Sequence, residues 1–401
     1  MRDVLIYDAI RTPRGKATAR GALHHMAPSQ VLQSLYNALV GRTGLDPALV
    51  DEVILGCVTQ RGEQAGNLAK TSTLYAGWPD SVSGLTVARF CSSGLDAINI
   101  GALKIAAGQA RAAVAGGIEM MSRVPMMSDE AAVFVDPELA AASRMLLMGS
   151  GADLIATLYG CDRQAVDQVA LTSQQRAVDA RTAGYFTSII GIRDPLTGNL
   201  VSEDECPRPQ TTAASLAALP AAFAELGASG ADALQLAEFP DLKAIAHVHT
   251  AGNSPAMADG AAITLLGDQT LGSQLGVVPR AVIRGMVNAC DEPLLVLSGC
   301  VAATKKLMHV HGLSVSDIDL FEIHEAFAAT MIKLQRDLEI PTQKLNVNGG
   351  CIALGHPLGA TGAVMLGTLL DEMERRQVHR GIVATSGAAG LGTAALIERI
   401  A

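Results

Sequence analysis

The chain has 401 residues, is 49% hydrophobic and 17% charged, and carries a net charge of -9, with a mean hydropathy of +0.29 and a pI near 5.5. That composition excludes a disordered chain and leaves room for two or three domain-sized units around a large core. An acidic protein without a lysine/arginine tract is a poor nucleic-acid ligand, and its apolar runs are broken by glycine and polar residues well before membrane-spanning length, so no membrane span is expected.

In chain order, Val4–Ile10 reads as a first strand, and Arg11-Thr12-Pro13-Arg14-Gly15 as a turn. Pro28–Leu39 has helical periodicity, Leu45-Asp46-Pro47 starts a short helix, and Val53–Val58 is a buried strand. The stretch 67–76 can be helical, Gly84–Ala88 reads as a buried strand, Leu95–Gly108 as a packed helix and Ala112–Ile118 as a strand. Strands alternating with helices predict a parallel sheet covered on both faces. From about Arg123 to His247, methionines, prolines and polar turns break the pattern around one clear amphipathic helix, 162–181, which suggests an inserted loop domain. Ala261–Leu266 returns to the main fold.

The last third repeats the logic of the first. Leu45–Asp51 resembles Leu313–Asp319, each before an apolar strand, and Arg111–Gly117 resembles Arg380–Gly387. Cys91-Ser92-Ser93-Gly94 has its counterpart in His356-Pro357-Leu358-Gly359, each before a small-residue helix. Two similar α/β halves about a pseudo-twofold axis would bring Cys91 and His356 face to face. Cys91 then has the setting of a nucleophile, because a helix start favours a thiolate, although a buried structural cysteine is the commoner case. His356, between Gly355 and Pro357 in a glycine-dense loop, suits proton transfer near neutrality. Phosphate binding by that loop is the weaker reading, since neither a Walker Lys-Ser/Thr nor GxGxxG is present. The cysteines at 57, 91, 161, 206, 290, 300 and 351 are scattered and odd in number, so no disulfide framework and no metal site is expected and a cytoplasmic setting fits. The first residues, Met1–Ala9, lack the long apolar core of a signal peptide.

Six ordered motifs carry a resemblance. They are Arg11-Thr12-Pro13, Phe90-Cys91-Ser92-Ser93-Gly94, Gly116–Ser122, Asp259–Ala262, His324-Glu325-Ala326-Phe327 and Asn348–Gly362. Over essentially its whole length the chain resembles the thiolases. The resemblance implies a five-layer αβαβα fold of two similar halves with an inserted loop domain: 1–122 completed by about 248–272, the loop domain 123–247, and 273–401. It implies CoA-dependent cleavage of a 3-ketoacyl-CoA or the reverse Claisen condensation, in fatty-acid metabolism including β-oxidation. No cofactor would be bound permanently, acyl-CoA and CoA would be the substrates, and the chain would form a homodimer or homotetramer. By the same resemblance Cys91 accepts the acyl group and His356 activates it. His324 would hold a water or polarise the thioester oxygen, forming one oxyanion hole with His356. The Cys91 amide and one from the Gly387-Ala388 turn would form the other. Met148, Arg208 and Ser254 would contact coenzyme A.

One departure stands out. The thiolase pattern has a second cysteine, which shuttles the substrate's α-proton, where this chain has Ser386. A hydroxyl is far less acidic than a thiol. Ser386 is therefore expected to be a poor base, and Ser386→Cys is expected to raise turnover about tenfold or more. No gain would assign the proton to another group, with Cys351, in the His356 loop, as the candidate; its bland alternative is a small core residue. An engineered serine that slows turnover and traps the enzyme, acyl transfer to a non-CoA acceptor, or a non-catalytic subunit are the other readings of the departure. Lesser ones are Leu147, where many short-chain thiolases have histidine, and the order Ser254-Pro255.

Overall fold

A computed structural model of the chain describes residues 2–400. Its strands are β1 (Leu5–Arg11), β2 (Gly15–Lys16), β3 (Glu52–Gly56), β4 (Ser83–Val87), β5 (Ala112–Met120), β6 (Ile192–Arg193), β7 (Leu200–Val201), β8 (Ala258–Gly267), β9 (Ala281–Cys290), β10 (Leu320–Ile323), β11 (Arg380–Ser386) and β12 (Leu391–Arg399). One sheet runs β10-β11-β12-β9-β1-β8-β5-β3-β4, with β2 paired to β8. The duplication seen in the sequence is the duplication of this sheet. In the first half β3 is parallel to β5, and β8 follows antiparallel to β5 and then to β1. In the second, β10 is parallel to β11, and β12 follows antiparallel to β11 and then to β9. Where β4 flanks β3, Phe321 of β10 makes a parallel bridge to Leu345. The halves join edge to edge through β1 and β9, at Leu5↔Val282 and Ile6↔Ala281.

The expected parallel sheet is thus corrected to a mixed one. Parallel pairing is confined to β4-β3-β5 and β10-β11. The short connection 387–390 between β11 and β12 can only join antiparallel strands. A second correction concerns β4. It is an edge strand, half-buried at best rather than buried, because it has one neighbour, β3, on the sheet path.

The helices Ser93–Ala106 and Thr361–Arg376 lie together between the two halves of the sheet, and their apolar faces share one core with residues of β1, β5, β8, β9, β10, β11 and β12. The helices Pro28–Thr43 and Leu68–Tyr75 cover the outer face of the first half, where Leu32, Leu35, Tyr36 and Trp78 fill a second core. The helix Gly299–Val310 and the helix Ala328–Leu338 cover the outer face of the second. The five layers follow from those three cores. The segment 123–247 contributes the helices Met148–Leu158 and Arg163–Thr182, which pack with Leu294, Ala328 and Ile352 of the second half. No helix of the described residues is long and apolar enough to cross a membrane.

Candidate active site

The site exists because the two central helices begin almost in contact. A Cβ on Gly94 would lie 2.5 Å from the Gly359 carbonyl oxygen, one on Gly362 would lie 2.5 Å from Leu95 Cβ, and one on Gly117 would lie 2.1 Å from the Gly359 oxygen. These glycines are demanded by close backbone approach. That gives the glycine-dense loop a packing role in place of phosphate binding. Buried Glu119, at the end of β5, fastens the junction. It accepts hydrogen bonds from the amides of Val58 (2.9 Å), Thr59 (3.1 Å) and Gly359 (2.9 Å) and from Gln64 Nε2 (2.8 Å).

Cys91 stands just before the helix Ser93–Ala106, after Phe90, whose φ of 47° is left-handed. Ser92 Oγ donates to the Thr385 carbonyl (3.2 Å), so the Cys91 loop is tied to the end of β11 in the other half. The expectation that the helix start favours a thiolate is corrected here. Burial, followed by the nearby Glu119 charge, pushes the Cys91 thiol up to about 12, so the resting group is a thiol.

His356 lines the same cavity as Cys91. Its amide donates to the Ala256 carbonyl (2.7 Å), and its Nδ1 lies 2.7 Å from Thr361 Oγ1. That contact leaves Nε2 as the other ring nitrogen. Burial, then the neighbouring His324 and Arg14, holds His356 well below its ordinary value, so the ring is neutral. His324 follows β10, with its amide bonded to the Ala384 carbonyl (2.9 Å). The two imidazoles are 4.4 Å apart between centroids. Neither ring nitrogen of His324 has a full hydrogen bond within the chain, and burial lowers this ring to about 4, opposed by the nearby Ser386 backbone. Glu325 sets the loop: it accepts from Ser173 Oγ (2.7 Å) and from the Ile352 amide (3.1 Å).

Arg11 of the Arg-Thr-Pro motif and the following Arg14 converge on Asp204. Arg11 Nη1 and Nη2 reach Asp204 Oδ1 and Oδ2 at 2.7 and 2.9 Å, and Arg14 Nη2 reaches Asp204 Oδ2 at 3.1 Å. Arg14 Nη1 also donates to the Gly355 carbonyl (3.3 Å), immediately before His356.

Two apolar cavities meet at Cys91. The larger, about 350 Å³, is lined by Cys91, His324, His356, Leu147, Met148 and Ser254, among others. The second, about 220 Å³, shares Cys91, Met126, Met127, Met148 and Leu358 with it and extends to Ala88, Phe90, Val133, Phe134 and Ala388. Beyond Ser254, Pro255 and Met257 the larger cavity adjoins an opening that carries Lys16 and Arg208. The structure therefore brings together Cys91, His356, His324 and Met148, with Ser254 between cavity and mouth and Arg208 at the mouth. Ser254 Oγ donates to the Thr250 carbonyl (2.7 Å).

Ser386 is placed differently. It is fully buried, its Oγ accepts from the Cys300 amide (2.9 Å), and it is not among the residues lining either cavity at Cys91. In the Gly387-Ala388 turn, the Gly387 amide donates to the Leu391 carbonyl (2.7 Å), while Ala388 lines the second cavity. Thr361, Glu119 and Asp204 are positioning residues that the sequence reading missed. Glu119 and Thr361 lie inside the quoted motifs, but Asp204 is the middle one of three consecutive acids, Glu203-Asp204-Glu205, in a polar loop, and only the fold singles it out by pairing it with two arginines.

Cys351 has a ligand atom in a cluster with His324 and His356, all within 4.8 Å of one another, the one such group among the described residues.

Comparison with known proteins bears on the whole chain. The family described as Thiolase, N-terminal domain matches residues 4–237, and Thiolase, C-terminal domain matches residues 277–399. The chain belongs to the thiolase family. Across its full length it is 37% identical to a 3-ketoacyl-CoA thiolase of Colwellia psychrerythraea and 37% identical to one of Serratia proteamaculans, each covered completely. The crystal structure of Bacillus anthracis acetyl-CoA acetyltransferase matches with a TM-score of 0.85 at 33% identity, and human mitochondrial 3-ketoacyl-CoA thiolase with 0.87 at 30%. Each covers 100% of this chain and 99% of its own. This thiolase is accordingly an acyl-CoA acyltransferase of the thiolase fold.

Proposed function

We propose that this thiolase cleaves 3-ketoacyl-CoA with coenzyme A, or runs the reverse Claisen condensation, through an acyl group on Cys91. The observation that carries the reading is the position of Cys91, where two apolar cavities meet and His356 and His324 line one of them. His356, with Nδ1–H donating to Thr361 Oγ1, takes the Cys91 proton at Nε2. The thiolate attacks the 3-keto carbon, the bond between C2 and C3 breaks, and acetyl-CoA leaves as an enolate that takes up a proton. Coenzyme A then attacks the acyl-Cys91 thioester, and His356 passes the new thiol's proton to the departing Cys91 sulfur. Negative charge on the thioester oxygens falls near His324 and His356 on one side, and near the Cys91 and Ala388 amides on the other. Fixed donors of that kind are each worth roughly 3 kcal/mol in the transition state. The pantetheine arm runs past Met148 and Ser254, with Arg208 and Lys16 beside the CoA phosphates, and the acyl chain occupies the second cavity. No resident cofactor or metal is required.

The wider reading is a cytoplasmic homodimer or homotetramer, supported by kinship and by seven free cysteines. Its domain division is 1–122 with 248–272, 123–247, and 273–401, the outer bounds 1 and 401 lying outside the described residues. Strand membership supports it: β1–β5 and β8 form one half, β9–β12 the other.

The test is incubation with acetoacetyl-CoA and a longer 3-ketoacyl-CoA in the presence of coenzyme A. Acetyl-CoA release, with an acyl adduct mapped to Cys91 and lost in Cys91→Ala, is the expected result. An adduct without carbon–carbon cleavage would favour the second reading that Ser386 motivates, transfer of the acyl group to a non-CoA acceptor. No adduct at all would overturn both.

A further inference from the structure

The cycle above leaves one proton without a carrier, the one that the acetyl-CoA enolate must gain at C2. Ser386 stands where the thiolase pattern has the thiol for this task. Its oxygen is held by the Cys300 amide, and it does not line the cavities at Cys91. A thiol does occur beside the catalytic pair. Cys351 is 2% exposed and, like Ser386, is not itself among the residues lining those cavities, but its sulfur is within 4.8 Å of a ring nitrogen of both His324 and His356. Those two histidines line the Cys91 cavity, and both nitrogens of buried His324 lack a full hydrogen bond in the chain. Of the other cysteines, none joins such a group among the described residues.

We propose that Cys351, in place of Ser386, carries the α-proton of the substrate. The proposal rests on the acyl-Cys91 reading and adds the missing acid to it. His356 first removes the proton from Cys91. When the bond between C2 and C3 breaks, the electron pair left on C2 takes the proton from the Cys351 S–H, which leaves a thiolate. The His356 imidazolium then gives its proton to that sulfur. Cys351 and His356 return to their resting forms, Cys91 stays acylated, and the proton that left Cys91 is now on carbon. In the condensation direction the same steps run backwards.

The energetics run the right way at each transfer. Burial pushes the Cys351 thiol up, partly opposed by Arg14, while His356 is held down. The imidazolium therefore reprotonates the thiolate readily. A carbon beside a thioester is a weaker acid than any thiol, so the transfer to C2 is also downhill. Burial keeps Cys351 protonated at rest, which is the state that an acid for cleavage needs.

The experiment separates proton transfer from acylation in the full-length enzyme, with EDTA present to exclude metal at the cluster. Acetyl-CoA is incubated in D2O, deuterium at its methyl carbon is followed by mass spectrometry, and the acetyl adduct on Cys91 is measured in parallel. Cys351→Ala is expected to acylate within roughly threefold of the parent, while deuterium exchange falls by roughly a hundredfold, the scale of a lost acid–base group. Cys351→Ser, nearly the same size, is expected to lose exchange in the same way and guards against a folding defect, since its acylation reports an intact site. Ser386→Ala is expected to keep exchange within roughly threefold. Exchange in either Cys351 variant that stays within about threefold of the parent overturns the proposal and leaves the acyl-Cys91 reading standing. Absence of a Cys91 adduct in the parent overturns that reading instead.

Discussion

His356 Nδ1 and Thr361 Oγ1 lie 2.7 Å apart, one turn across the start of the central helix Thr361–Arg376. Thr361 is 1% exposed and holds the ring that, in the proposed cycle, takes the proton of Cys91. Thr361→Val keeps the shape and removes the partner. Cys91 acylation is expected to slow by about tenfold or more, because the imidazole loses its tautomer and orientation. Burst kinetics of acyl-enzyme formation check this. An unchanged burst rate would mean that packing alone orients His356.

Asp204 neutralises two buried guanidinium groups at once. Burial alone would raise its carboxyl, but Arg11 and Arg14 outweigh burial and hold it far below the usual carboxylate range. A depressed carboxylate contributes stability above its unfolded value near pH 3.9, and loses it as pH falls through the lower folded value. The wild-type ion group is thus expected to hold through mild acid. Asp204→Asn leaves two buried cations short of a partner and is expected to cost about 3–5 kcal/mol. Chemical denaturation at neutral pH reads the loss, and turnover should fall too, since Arg14 also holds the Gly355 carbonyl.

What was legible in the sequence, and what was not, follows from range. Cys91 and His356 could be read because each sits in a local small-residue signature at a helix start, and the duplication placed them opposite one another. The mixed sheet was not legible, because the direction of β8 depends on where the chain re-enters after 123–247, and no local pattern records that. The protonation state of Cys91 was also misread. A helix start is a local feature, whereas Glu119 and the burial that override it come from the assembled fold. Ser386 could be aligned with a catalytic position, but its tie to the Cys300 amide is a contact across 86 residues.

His247 links two acids of the inserted segment, with Nδ1 2.9 Å from Asp153 and Nε2 3.0 Å from Asp232. Partial burial lowers its pKa, but the two carboxylates outweigh this and raise it overall. A histidine raised by partners stabilises fully below its unfolded value near 6.5 and loses that contribution as pH rises through the folded value. Hydrogen exchange in the helix Asp232–Glu238 is expected to quicken as pH rises through that window, beyond the intrinsic chemical rate. His247→Gln should remove this extra pH dependence, and a slope identical to that of the wild type would refute the assignment.

The second cavity at Cys91 should set chain length. Its far wall is Val133 and Phe134 from the inserted segment, with Phe134 edge-on to Phe90 at 6.2 Å between ring centroids. Nothing polar other than Thr59 and Asp129 lines it apart from the Cys91 thiol, so a growing alkyl chain gains about 0.8 kcal/mol for each methylene it buries there. Val133→Trp fills this space and leaves the larger cavity, with His324 and His356, untouched. The kcat/KM for a long-chain 3-ketoacyl-CoA is expected to fall about tenfold or more, the equivalent of roughly two lost methylenes, with acetoacetyl-CoA changed by less than about threefold. A parallel loss on both substrates would show that the wall supports the nucleophile loop through Phe90 and does not measure the chain.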